Sequence, residues 1–289
     1  SGRCTTELIP LLPAEDVDRT FLAWLLRRPE TVANAMMEKT GSRMPRANMD
    51  YLMSMKVPLP PLSEQERIVA VLDEQLTEVN RARAAVEAQL GAARALPEAF
   101  LREVFDGPEA KKWPRRSLGS IGDIVTGNTP PRKEAAYYGG NIPWIKPDDL
   151  DRSLFVESST EYLTEEGANR SRMLPAGSVL VSCIGKLGKS AISRTPLATN
   201  QQINAIVPNA DIDAIYLYYA VKAIVPVMEQ LASVTIVPII NKTTFSSITL
   251  PVPPTSVQRS IASRLLEQYD QQGRLLAALE AQSSEMSIL

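Results

Sequence analysis

Among its 289 residues the chain has no histidine. Histidine is the commonest general acid or base near neutral pH and the commonest transition-metal ligand. Its absence excludes serine–histidine triads, cysteine–histidine pairs and histidine-bearing zinc sites. The two cysteines, Cys4 and Cys183, are too few for a secreted disulfide framework and read as free thiols. Neither a G-x-x-x-x-G-K-[ST] loop nor a G-x-G-x-x-G loop is present, so the usual phosphate cradles are missing. No apolar run reaches the roughly 18 residues of a membrane span, because Asp213, Lys222 and Glu229 interrupt the most apolar region. The N-terminus carries Arg3 and Glu7 and no apolar core of a signal peptide. The expectation is a cytoplasmic chain without membrane, metal or cofactor, for which binding is the default and catalysis is not.

What remains is ordinary in bulk and uneven in distribution. A hydrophobic content of 44% with 22% charged residues suits a soluble globular protein, and the length has room for two domains. The net charge is −2, which looks wrong for a nucleic-acid binder until it is divided. Residues 63–110 carry 5 bases and 10 acids, whereas 111–255 carry 15 bases and 12 acids. Acid sits on a helix and base on a globular region, and residues 111–198 alone hold 13 bases against 9 acids. A local excess of this kind is what an electrostatic footprint for a polyanion requires.

The strongest positive feature is repetition. Val57–Gln89 and Leu250–Gln282 align without a gap at an offset of 193 and share 15 of 33 residues, among them Pro58/Pro251, Gln65/Gln258, Ile68/Ile261 and Leu72/Leu265. Upstream, Pro45, Asn48 and Ser54 match Pro238, Asn241 and Ser247, and residues 6–13 face 201–208 at an offset of 195. That period is far longer than the 20–50 residues of a solenoid unit, so a domain with its following helix is duplicated.

Alternate prolines in residues 57–61 forbid helix there, and Ser63 with Glu66 three residues later predicts an N-cap with a capping box. An apolar stripe follows at Ile68, Leu72, Leu76, Val79, Arg83, Val86, Leu90 and Ala93, in steps of three and four. The second copy repeats it at Ile261, Leu265, Tyr269, Gln272, Leu276, Leu279, Ser283 and Met286. Alternating steps of three and four make a coiled-coil seam, and two seams in one chain most simply pack on each other. The first helix is expected to run to about Leu96, with Pro97 kinking or restarting it. Residues 113–255 read as strand-rich, with turn residues at Gly127–Pro130, Tyr138–Asn141 and Pro175–Gly177, strand-like runs at Ser178–Ile184 and Ile203–Val207, and one helix over Ala214–Leu231. The fold class is therefore α+β. The divisions are 1–56, repeating the closing third of the later domain; 57–110, a long helix; 111–255, a complete domain; and 256–289, a second long helix.

The run Pro58–Ile68 resembles the start of the helical region in specificity subunits of type I restriction-modification systems. Trp113–Ile121, Gly127–Pro130 and Asn141–Ile145 look like the opening of that family's target recognition domain, and Asn200–Gln202 resembles a later element of it. The resemblance implies a non-catalytic subunit with two target recognition domains reading the halves of an interrupted site in double-stranded DNA. It implies antiparallel helices that space the half-sites and dock methyltransferase subunits, with a restriction/translocase subunit joining for cleavage. This chain departs from the pattern by lacking most of a first recognition domain and the end of the second helix, which fits a truncated chain, a recombined product or a half-type subunit able to form a homodimer.

Base readout needs Arg, Lys, Asn or Gln on loops, with further donors to phosphate. The candidates for DNA contact are Arg132, Lys133, Lys146, Arg170, Arg172, Lys186, Lys189, Asn200 and Gln201, each weighed against a surface or structural role. Gly185 and Gly188 would let the loop of Lys186 and Lys189 approach phosphate. For Asn200 and Gln201 a base-edge role and a buried hydrogen-bonding role are equally open. Lys111, Lys112, Arg115 and Arg116 around Trp113 read mainly as an exposed linker, and Asp148–Asp149 as surface charge rather than a metal site. The helix-packing set is Ile68, Leu72, Leu76, Val79, Ile261, Leu265, Tyr269 and Leu276, the first four facing the second stripe. Two rivals remain: the specificity end of a fused restriction-methyltransferase enzyme, and a coiled-coil adaptor without DNA affinity.

Overall fold

The computed structural model describes residues 10–37, 49–234 and 237–288; Cys4, residues 6–9, Pro45 and Asn48 lie outside them. The chain divides into two compact units, residues 1–88 with 282–289, and residues 89–281.

In the first unit α1 (Arg19–Arg27) begins at Asp18, whose carboxylate accepts from the Phe21 amide at 2.8 Å. It ends at Arg28, because Pro29 forbids helical geometry in the residue before it. Then come α2 (Pro29–Met37), α3 (Met49–Ser54) and the start of α4 (Leu62–Asp106). α4 starts two residues earlier than an N-cap at Ser63 predicts: the Pro61 carbonyl accepts from Glu64 and Gln65, so Ser63 lies within the helix and is not its cap. Gln65, fully buried, takes over the anchoring. Its Nε2 donates to the carbonyls of Asp16 and Pro60, and its Oε1 accepts from the Asp18 amide. α4 is continuous through Pro97 for 45 residues, so the proline interrupts nothing at this level.

Among the described residues the second unit takes the rest of α4 and then thirteen strands, five further α-helices and most of a sixth, whose last residues belong to the first unit: β1 (Arg115–Ser117), α5 (Leu118–Ile121), β2 (Gly122–Thr126), β3 (Tyr138–Ile145), β4 (Phe155–Val156), β5 (Tyr162–Leu163), α6 (Glu165–Asn169), β6 (Met173–Leu174), β7 (Val179–Ser182), β8 (Ser190–Ser193), β9 (Leu197–Thr199), β10 (Ile203–Pro208), α7 (Ala214–Ala223), α8 (Val225–Leu231), β11 (Ser233–Val234), β12 (Pro238–Ile239), α9 (Lys242–Ser247), β13 (Thr249–Pro251) and α10 (Thr255–Ile288). The larger sheets have the orders β2-β10-β7-β8-β4 and β5-β3-β9-β6, and β1 with β13 and β11 with β12 form two-stranded pairs. Pairing is antiparallel except at β3–β9 and β4–β8. Side chains alternate across a strand, and the core follows that alternation. Val179 and Val181 join Leu217, Ala220 and Val221 of α7, while Leu180 between them joins Ile145, Leu174 and Leu197 of the other sheet. The unit is thus layered as helices, five-stranded sheet, four-stranded sheet.

Two expectations change here. The helix expected over Ala214–Leu231 is two, broken at Ile224, because Pro226 has no amide to continue the ladder and instead occupies the first turn of α8. The expected linker around Trp113 is ordered: Arg115 lies on β1, paired with β13, and Arg116 reaches Asp211 at 2.6 Å.

The two helical stripes appear as the sequence spacing requires, and they run antiparallel. Arg83 donates to the Met286 carbonyl, Gln272 donates to the Ala93 carbonyl at 3.1 Å, Arg94 pairs with Glu280 at 3.1 Å, and the Phe100 and Tyr269 rings lie 6.3 Å apart. Numbers rise on α4 as they fall on α10. Ile261 and Leu265 are buried with Leu101, Val104 and Phe105 at the end of α4, and Leu276 is half-buried. That register corrects the expectation for the first four. With Arg83 opposite Met286, Ile68, Leu72, Leu76 and Val79 lie N-terminal to the covered stretch and are only half-buried. Ile68 and Leu72 line a groove with α1 instead.

Candidate nucleic-acid interface

Five loops of the second unit meet through named hydrogen bonds. Gly127 begins the first, and a Cβ there would lie 2.2 Å from the Asn200 carbonyl oxygen, so only glycine permits this approach of two backbones. The approach lets the Asn128 amide donate to the Thr199 carbonyl, and Thr129 donates to Gln201 Oε1 at 2.5 Å. On its other side the Asn128 side chain donates to the Arg170 carbonyl at 2.8 Å and accepts from the Arg172 amide at 3.0 Å. The Arg172 guanidinium is held by the Thr126 carbonyl at 2.6 Å. The Cys183 amide donates to the Gln202 carbonyl at 2.8 Å, which joins the 183–188 loop to the same group. Lys189 then reaches Asp148 at 3.2 Å, bringing in the 146–149 turn.

Trp144, nearly fully buried, donates its indole N–H to the Asn128 carbonyl and stands edge-on to Tyr138 at 6.0 Å. The Arg132 guanidinium lies 4.8 Å from the centroids of both rings, a cation–π arrangement, and pairs with Glu161 at 2.6 Å. Lys146 also pairs with Glu161. The Arg132 guanidinium first, then the Lys146 ammonium, hold the Glu161 carboxyl below the usual carboxylate range, against a smaller upward push from burial.

The structure therefore sorts the nine sequence candidates by what holds them. Lys133, Arg170 and Lys186 are exposed and have no ion pair among the described residues. Arg132, Lys146 and Lys189 are paired with carboxylates, and Arg172 with a carbonyl. Gln201 is exposed and accepts from Thr129, whereas Asn200 is buried, bonded to the Gln202 side chain at 2.8 Å and to its amide at 3.1 Å. For Asn200 the buried hydrogen-bonding role is the one the geometry fills. In the 183–188 loop, Gly185 and Gly188 sit at φ +81° and +75°, and Ser182 Oγ closes the turn on Lys186 and Lys189.

Two acidic residues take parts that sequence reasoning missed. Asp149 is not surface charge: it is 4% exposed and accepts from the Lys146 and Thr160 amides at 3.0 and 3.1 Å, which fixes the turn carrying Lys146. Glu161, the shared partner of Arg132 and Lys146, lies 29 and 15 residues from them, a separation with no sequence signal. Among the described residues no group of three or more Cys, Asp or Glu side chains is placed to hold a metal ion.

Comparison with known proteins decides what this scaffold is related to. The family described as "Type I restriction modification DNA specificity domain" matches residues 4–87 and 110–282. The chain belongs to that family. The specificity subunit of the HindI type I restriction enzyme of Haemophilus influenzae is 32% identical over 150 residues, half of this chain and 33% of that protein. The EcoR124I/EcoR124II specificity subunit of Escherichia coli is 28% identical over 229 residues, 74% of this chain and 55% of that one. The chain thus spans from a third to about half the length of these curated relatives. Among solved structures, a chain from a study of type I R-M system assembly and conformational transition superposes with a TM-score of 0.70 at 23% identity. It covers 94% of this chain and 69% of that one. The HsdS subunit of Thermoanaerobacter tengcongensis gives 0.63 at 22%, with the same coverage. These likenesses bear on the fold, which is the α+β arrangement of a strand-rich domain with long antiparallel helices. No helix among the described residues is long and apolar enough to cross a membrane.

Proposed function

We propose that the chain is a non-catalytic DNA-recognition component of a type I restriction-modification complex. Loops of residues 111–255 read one half of a bipartite duplex site, and the seam of α4 and α10 serves as the dock for methyltransferase subunits. A restriction/translocase subunit joins the complete assembly, and the setting is the cytoplasm. The observation that carries this reading is the hydrogen-bonded group of loops that carries the cations Lys133, Arg170 and Lys186, unpaired among the described residues, and the exposed amide side chain of Gln201. Cations without internal partners are free to neutralise phosphate, and amide groups suit base edges. The division proposed for the chain is 1–56, 57–110, 111–255 and 256–289.

Titration with duplex DNA at several salt concentrations tests it. Replacing Lys133, Arg170 and Lys186 together by alanine is expected to lower the slope of log K against log salt by about 0.9 for each phosphate no longer neutralised. Lys186→Ala with Lys189→Ala tests the 183–188 loop separately, and there Lys189 first has to leave Asp148. A chain with no salt-dependent affinity for any duplex would favour the coiled-coil adaptor and refute the reading.

A further inference from the structure

Arg132 and Lys146 are not free cations, because Glu161 holds both of them, one on each carboxylate oxygen. Arg132 donates to Oε2 at 2.6 Å and Lys146 donates to Oε1. Two oxygens of one anion are thus spanned by a guanidinium and an ammonium. The two non-bridging oxygens of a phosphodiester offer the same pair of acceptors to the same two donors.

What places the cations is not the acid. The Arg132 guanidinium rests 4.8 Å from the centroids of Tyr138 and Trp144, and the Lys146 ammonium 5.6 Å from that of Trp144. Both rings are tied down independently, the indole N–H of Trp144 to the Asn128 carbonyl at 3.2 Å and the Tyr138 hydroxyl to the Pro130 carbonyl at 2.6 Å. Asp149 fixes the turn that carries Lys146. Without the Glu161 carboxylate both cations would therefore keep their ring contacts and their backbone positions. The acid itself is pinned through its main chain: its carbonyl accepts from the Trp144 amide at 3.1 Å and from the Ser159 hydroxyl, and the neighbouring Thr160 amide donates to Asp149 at 3.1 Å. The acid stays, and the cations on their long side chains can leave it. Arg132 is exposed and Glu161 half-buried, so an anion from solvent can reach the group. Ion pairs this open are weakly held.

We propose that Glu161 is an internal stand-in for a backbone phosphate of duplex DNA, which takes Arg132 and Lys146 from it on binding. The proposal rests on the reading of these loops as a DNA interface and adds a residue that opposes binding. A polyanion is the occupant because the same loop group carries Lys133, Arg170 and Lys186, unpaired among the described residues, which is more positive charge than one small anion neutralises. Phosphate contacts carry no sequence information. A carboxylate that must first be displaced weakens binding to every duplex, and contacts to bases are left to decide which duplex is held.

The test follows a fluorescein-labelled duplex of random sequence by anisotropy at several salt concentrations, using the full chain. Glu161→Gln keeps the shape of the side chain and removes its charge; it should bind about three- to tenfold tighter at low salt. The slope of log K against log salt should steepen by up to about 0.9 for each of the two cations released. Adding Arg132→Ala and Lys146→Ala to Glu161→Gln should cancel the gain. Glu229→Gln removes the same charge from α8, outside the loop group, and should change affinity less than about twofold. Unchanged or weaker binding by Glu161→Gln, an equal gain from Glu229→Gln, or a gain that survives loss of both cations would each overturn the proposal. Should Glu161→Gln fail to fold, Arg132→Ala with Lys146→Ala in the parent decides: lower affinity is expected, and unchanged affinity and slope would mean that the cations never leave the acid. A parent chain with no salt-dependent affinity refutes the DNA reading and this proposal with it, whereas a parent that binds while Glu161→Gln gains nothing refutes the proposal alone.

Discussion

Gln258 is 1% exposed and holds three backbone groups: its Nε2 donates to the carbonyls of Asp211 and Pro253 at 3.1 and 2.8 Å, and its Oε1 accepts from the Asp213 amide at 2.9 Å. Gln258→Met keeps the volume of the side chain and removes every one of these bonds. The Asp211 carbonyl retains a partner, because the Thr255 hydroxyl also donates to it at 3.0 Å. The Asp213 amide and the Pro253 carbonyl are left without one. At about 1–3 kcal/mol for each buried group left unpaired, the cost is roughly 2–6 kcal/mol. It falls on the start of α7, so exchange of the Asp213 amide should accelerate by at least about 30-fold, the lower end of that range. Hydrogen exchange by NMR, with urea unfolding followed by circular dichroism, reads both numbers. Gln258→Glu supplies a control of opposite pH sense. Its carboxylate would face two carbonyl oxygens, which favours the protonated acid. The variant should therefore be more stable near pH 4 than at pH 7.5 relative to the parent, losing stability as pH rises. A Gln258→Met chain within about 0.5 kcal/mol of the parent, with unchanged Asp213 exchange, would refute the view that this glutamine anchors the helix. Gln65→Met should act alike in the first unit without the hydroxyl's help, because Leu62 stands where Thr255 does.

Leu265→Ala removes a fully buried side chain and is expected to cost about 2–5 kcal/mol; Leu72→Ala, at the equivalent but half-buried position, should cost clearly less, and equal costs measured by urea unfolding would contradict the open groove. Burial pushes the Cys183 thiol up to about 11, so its alkylation in the native chain at pH 8 should be at least about 100-fold slower than that of a free thiol near 8.5, as peptide mapping by mass spectrometry would show. Glu161, its carboxyl held low mainly by Arg132, contributes stability that is present above its unfolded value near 4.3 and lost as pH falls through the lower folded value. Loop order reported by Trp144 fluorescence should therefore persist at pH 5 and weaken only well below pH 4, and loss between pH 5 and 6 would disprove the assignment. Gly127→Ala should separate the 126–130 and 199–202 loops and lower affinity for duplex DNA, whereas an unaltered affinity would detach this crossing from recognition.

Much of this was legible in the sequence where the physics is local or periodic. A stripe in steps of three and four marks a buried helical face whatever lies opposite, and the half-buried and buried positions of α4 and α10 fall where that spacing puts them. Turn residues located the loops that gather around Asn128 and Asn200. What escaped depends on distant partners. Ser63 with Glu66 has the form of a capping box, but the cap is decided by Pro61 and by Gln65 reaching back to Asp16 and Asp18. Asp149 next to Asp148 looks like surface charge until a turn folds two amides onto it. Glu161 carries no mark of its role because both its partners are brought to it by the sheet.

The register of the helical seam is the instructive failure, because the sequence contained a true repeat and the repeat itself misled. Equal stripes suggest equal burial, yet an antiparallel pair of repeats brings the end of one stripe against the beginning of the other. Ile261 and Leu265 thus meet Leu101, Val104 and Phe105, residues outside the aligned stripe altogether. Ile68 and Leu72, identical in type to Ile261 and Leu265, have no such neighbours among the described residues and keep their apolar faces half open. Burial is a property of the pair and not of the stripe. Gln65 and Gln258 build matching floors from matching bonds, so the difference in burial between Leu72 and Leu265 comes from what packs above each floor and not from the floor itself.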